Sequence, residues 1–159
     1  MRNARFAAVA ASLFPVSFAF AGDLSAYEGK YPFDPVDGYA FFDNPVVIKA
    51  IDGAAGDGTV DWISDLDVAS PIERQDDALI ATVCEAHNCP RNNAAVAISL
   101  GGELIAVCLF SQSGDAGTMP GKLHWVGPKL NTDIEPEAGN SGCPRDGSEF
   151  LEAYTAALR

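Results

Sequence analysis

Apolar residues recur at helical spacing near both ends of the chain and in short unbroken runs between them. Val46, Val47, Ala50 and Ile51 fall on one helical face, with Asn44 as N-cap, Pro45 in the first turn and Gly53 as the stop. Residues 62–66 read as a short second helix. From Ser70 the period changes. Residues 72–74 and 78–84 read as strands joined through Gln75-Asp76-Asp77. Residues 94–100 form another strand, and Gly101-Gly102 turns it back into residues 103–111. Leu104, Ile105, Val107, Leu109 and Phe110 make that strand the most apolar, which places it centrally. A Gly/Ser-rich loop leads to a last strand at 122–126, carrying His124 and Trp125. Residues 127–147 read as Pro/Gly-rich loop, and 149–158 as an amphipathic helix. Glu149 in its first turn and Arg159 at its end suit the helix dipole. The order predicts an α+β fold: a single antiparallel β-sheet of about five strands with flanking helices, drawn on one side of it. Residues 24–43 hold Tyr27, Tyr31, Phe33, Tyr39, Phe41 and Phe42 among prolines and glycine, and read as an irregular segment packed onto the core.

The first residues follow a different pattern. Arg2 and Arg5 precede an apolar run from Phe6 to Phe20, and Ala19-Phe20-Ala21 has the form of an A-x-A cleavage site. Residues 1–21 are therefore expected to be a secretory signal peptide, too short and too Pro-interrupted for a membrane anchor. Residues 22–159 then form one domain. Its removal takes away two arginines and no acids, so the formal charge moves from −12 to −14. So acidic a surface argues against nucleic acid and anionic membrane as partners. It favours a basic partner, although solubility alone accounts for it equally well.

All four cysteines lie beyond the expected cleavage point, as suits an oxidising compartment such as the periplasm. Three pairings are open to them. Cys84–Cys89 with Cys108–Cys143 is preferred, because the first closes a tight turn and the second ties a core strand to the C-terminal loop. The turn reads Cys84-Glu85-Ala86-His87-Asn88-Cys89. Closing so small a ring removes on the order of 2 kcal/mol of chain entropy, so its main effect is shape. The simplest reading of His87 is an exposed residue in a structural turn.

No catalytic constellation accompanies it. His124 is the only other histidine, no G-x-S-x-G is present, and Ser141 stands without a signature. C-x4-C is neither a thiol oxidoreductase motif nor a haem-attachment motif. Zinc on Cys84, His87 and Cys89 is awkward within six residues. Gly53, Gly56 and Gly58 lack a preceding strand and sit beside Asp52 and Asp57, against a phosphate loop. Asp65-Leu66-Asp67 is a weak hint of a metal site. The expectation is a non-enzyme with no metal and no cofactor.

The bracketed histidine resembles the Cys-Lys-Pro-His-Asp-Cys loop of the Ivy family, periplasmic inhibitors of vertebrate (c-type) lysozyme. The likeness continues through Ala95-Val96, Leu109-Phe110-Ser111 and Lys122-Leu123-x-Trp125, covering roughly residues 78–126. It implies an antiparallel sheet with flanking helices, and an inhibitory loop of Cys84, Glu85, Ala86, His87, Asn88 and Cys89 that plugs the lysozyme cleft. It also implies a role in evading host defence. Lysozyme works with one protonated and one ionised carboxyl, and an imidazole between them has a partner on each side. This chain departs from the family at Glu85 for Lys, Ala86 for Pro, Asn88 for Asp, and Pro90 for Gly. Ala86 for Pro is expected to loosen the turn. The alternative reading is an exported binding or structural module, or a regulator of the cell's own lytic transglycosylases. A homodimer stays open.

Overall fold

The computed structural model describes residues 23–114, 118–136 and 142–159. The expected signal peptide, residues 1–21, and Ser141 lie outside them. The architecture is α+β, built on one antiparallel sheet of seven strands. These are β1 (Val68–Ala69), β2 (Glu73–Gln75), β3 (Ala78–Cys84), β4 (Asn92–Ser99), β5 (Leu104–Ser111), β6 (Leu123–Gly127) and β7 (Leu130–Ile134). The order across the sheet is β1-β3-β4-β5-β6-β7, and β2 also pairs with β3. The most apolar strand, β5, is central as its composition predicts.

The sheet exceeds the expected five strands at both edges. β1 is only two residues, held by pairing with Val83 and Cys84. β7 occupies part of the stretch read as loop, turning back on β6 where Gly127 pairs with Leu130. Its Leu130, Thr132 and Ile134 are half-buried while Asn131 and Asp133 are more open, a two-residue period hidden by the neighbouring prolines and glycines.

The helices lie on both sides of the sheet, not on one. Leu79, Ala81 and Val83 of β3, with Ala94, Val96 and Ile98 of β4, face one core. That core is covered by a 3-10 turn (Leu24–Tyr27), Phe41 and Phe42, and by α1 (Pro45–Ala55) and α2 (Thr59–Ser64). Ile80, Ala95, Ala97, Ala106 and Cys108 face the other way, toward α3 (Gly147–Ala157). The small side chains there leave room for Trp125, whose ring meets Phe150 of α3 edge-on at 5.3 Å between centroids. β3, β4 and β5 are buried on both faces along most of their length, which is why they read as largely apolar runs without polar alternation.

Helix ends follow local chemistry. Asn44 Oδ1 accepts from the Val46 N–H and caps α1, as predicted. The helix runs past Gly53 and ends at Gly56, whose φ of +104° belongs to the region glycine tolerates. Asp146 caps α3. The Glu149 N–H, then the Ser148 hydroxyl, hold its carboxyl below the usual carboxylate range. The stabilisation from this lowered value is present at neutral pH and is lost as pH falls through it. Of the aromatic segment, Tyr27, Phe41 and Phe42 enter the core, whereas Tyr31, Phe33 and Tyr39 are exposed.

Candidate functional site

β3 and β4 are joined by residues 85–91, and here the bracketed histidine lies. Cys84 ends β3 and is bonded to Cys89, with 4.8 Å between their Cα atoms. The Asn88 N–H donates to the Glu85 carbonyl at 3.0 Å, so Glu85 to Asn88 form a β-turn. His87 is its third residue, with φ +60°. A positive φ at that position is what a type II turn requires, and histidine is among the residues that tolerate it. The backbone thereby throws the imidazole outward. His87 is exposed, and among the described residues none hydrogen-bonds or pairs with its ring.

The rest of the turn is tied down. The Ala86 N–H donates to Asp67 Oδ1 at 2.8 Å. A proline could not make this bond, so Ala86 does not simply loosen the turn; Asp67 anchors it from 19 residues away. The Glu85 carboxylate accepts from the side-chain amides of Asn88 and Asn92, turning its charge into the ring. Asn92 Oδ1 is buried and has no hydrogen-bond partner among the described residues.

A second clip joins the ring to the other disulfide, Cys108–Cys143. The Asn93 amide donates to the Cys89 carbonyl, and its Oδ1 accepts from the Cys143 N–H at 2.7 Å. Gly142 lies directly against it: a Cβ there would come within 2.3 Å of the Asn93 amide, on a backbone with φ +114°. None of Asp67, Asn92, Asn93 and Gly142 was singled out by sequence as part of the site. Asp67 and Gly142 lie far along the chain from the residues they meet, and the Asn92-Asn93 pair stands near the motif but reaches on to Cys143.

Two concavities adjoin the ring. One, of 270 Å³, is walled by Cys84, Cys89 and Pro90 with Val68 and Arg145. The other, of 370 Å³, is polar and lined by Asn88, Arg91, Asn92, Gln112 and Ser113. His124 sits elsewhere, its Nδ1 2.9 Å from Asp133 Oδ1 on the neighbouring strand. No cluster of three or more His, Cys, Asp or Glu able to hold a metal occurs among the described residues. No helix among them is long and apolar enough to cross a membrane.

The family model described as "Inhibitor of vertebrate lysozyme (Ivy)" matches residues 46–141. The chain belongs to the Ivy family. The matched span takes in α1 from its second residue, the seven strands described above and the whole ring, and stops short of Cys143 and α3. Membership supports a lysozyme-inhibitor role in general terms. Searches of curated proteins and of solved structures find no match.

The Asp67 anchor has a direct consequence. Asp67→Ala should free the turn, speeding amide hydrogen exchange at Ala86 roughly fivefold for a bond worth about 1 kcal/mol. Adding Ala86→Pro should restore order to the turn, seen as recovered protection at Asn88. Unchanged exchange in Asp67→Ala would show that the disulfide alone holds the ring.

Proposed function

We propose that this Ivy-family protein inhibits c-type lysozyme by inserting the Cys84–Cys89 ring into the active-site cleft, with His87 between the two catalytic carboxyls. The observation that carries the reading is the exposed imidazole on a pinned, covalently closed turn, with no partner among the described residues. An imidazole so placed donates to an ionised carboxylate and accepts from a protonated one. No reaction is required and no cofactor is involved; occupancy excludes substrate. Because the turn is ordered before docking, little conformational entropy is lost on binding. The enzyme's carboxyls, desolvated in the complex, find a partner in the imidazole.

The protein acts after export, with residues 1–21 removed, where it meets lysozyme outside the cytoplasm and blunts a host defence. Its formal charge of −12, or −14 after cleavage, steers it to a basic enzyme. The test is the lytic rate of a c-type lysozyme titrated with the mature protein. Stoichiometric inhibition is expected. Inhibition of an endogenous lytic transglycosylase with none of lysozyme would reassign the target. The association rate should also fall roughly tenfold from low to high salt, with dissociation changing less. A rate indifferent to salt would limit the acidic surface to solubility.

A further inference from the structure

Arg91 stands two residues beyond Cys89, in the same connection that carries His87. Its backbone is held on both sides: its N–H donates to the Asn88 carbonyl and its carbonyl accepts from the Gln112 N–H, each at 2.8 Å. The base of the side chain is thus fixed relative to the ring. The side chain itself is exposed, and among the described residues its guanidinium has no ion pair or hydrogen bond. Among the described residues Arg74, Lys122 and Arg145 are each paired with a glutamate, whereas Arg91, like Lys30, Lys49, Lys129 and Arg159, has no ion pair; of these it is Arg91 that stands beside the ring. The nearest acid in sequence to Arg91 is Glu85, whose carboxylate instead accepts from Asn88 and Asn92.

The surroundings complete the picture. Arg91 lines the 370 Å³ hollow beside the ring, and the other lining residues are Asn88, Asn92, Gln112 and Ser113. Every one of them is neutral, so among the described residues lining the hollow Arg91 is the single charged group. A guanidinium with free donors at the mouth of a polar hollow suits a carboxylate, which it grips through two parallel hydrogen bonds.

We propose that Arg91 is a second recognition residue of the inhibitory surface, taking a carboxylate side chain of the target enzyme at the rim of its cleft while His87 occupies the centre. This rests on the plug reading above. It divides the labour of charge: the acidic body steers the protein toward a basic enzyme, and Arg91, unpaired among the described residues, registers it on the acidic cleft.

That division gives a test by sign. Arg91→Glu makes the protein more acidic. If only overall charge mattered, binding to a basic lysozyme would tighten through faster association. If Arg91 grips a carboxylate, dissociation should quicken by about tenfold or more and binding should weaken, whatever association does. Arg91→Gln should quicken dissociation similarly, and Arg91→Lys less, because it keeps the charge without the fork. Melting temperatures, measured alongside, should not move for an exposed side chain. Intact inhibition with Arg91→Glu binding as tightly as the parent, or more tightly, would overturn the proposal and leave the plug standing. Absence of lysozyme binding by the parent protein would remove the plug and this proposal together.

Discussion

His87→Ala should weaken binding to lysozyme by about 2 kcal/mol or more, because the enzyme's buried carboxyls lose their partner while remaining desolvated. That is roughly a thirtyfold rise in Kd. Thermal stability should hardly change. The residue is exposed, lies outside both cores and bonds to no side chain among the described residues. Its φ of +60° adds a complication that a second variant resolves. Alanine is uncomfortable at such a φ, so part of any loss with alanine belongs to the backbone. Glycine is at ease there. His87→Gly should therefore lose binding as well, since it too removes the imidazole. Binding retained by the glycine variant but lost by the alanine variant would assign the effect to turn geometry. A fall in melting temperature matching the loss of binding would make His87 a structural residue.

The two disulfides should separate fold from function. Replacing Cys108 and Cys143 by alanine removes a link across 35 residues of sequence. The loop-entropy relation puts its loss at about 4 kcal/mol. Against a total stability of about 5–15 kcal/mol for a domain, that is a large fraction. The loss falls on the fold because Cys108 is fully buried on the α3 face of β5, beside Trp125 and Phe150. Replacing Cys84 and Cys89 by serine should cost only about 2 kcal/mol of stability for its shorter loop. Its effect should appear in binding, where a mobile turn must be ordered before it fits the cleft. Denaturant midpoints and lysozyme affinities measured on both double variants check this. Equal stability losses, or a ring-opened variant of undiminished affinity, would contradict the assignment.

The central strands were legible because each is an apolar run bounded by turn residues. β3, with its paired turn at Asp76 and Asp77, shows this directly. The same runs held a message that was misread. A strand such as β4, in which Ala94 to Ile98 has no polar position, has no face for water, so cover on both sides follows. Assigning all helices to one side ignored that constraint, and α3 supplies the second cover. β7 is hidden in the sequence because its short alternation of Leu130, Thr132 and Ile134 lies between Gly127-Pro128 and Pro136. β1 has no sequence signal of its own and exists through its partner strand.

The site divides the same way. The ring and its histidine are contiguous in sequence, so motif and spacing suffice to find them. What positions them is not contiguous. Asp67 looked like half of a metal site and instead holds the Ala86 N–H. Asn93 reaches Cys143 across 50 residues. Such contacts exist only once the sheet has formed. They also give the departure from the family loop a physical sense, since Ala86 offers a donor that proline lacks.

The central claim is that the ring occupies the lysozyme active site, and competition measures this most directly. Binding of the mature protein to a c-type lysozyme should be titrated against an N-acetylglucosamine oligomer that fills the substrate cleft. Mutually exclusive binding is predicted, with the inhibitor's apparent Kd rising in proportion to the oligomer concentration. Simultaneous binding of oligomer and protein, with the Kd unchanged, would contradict it.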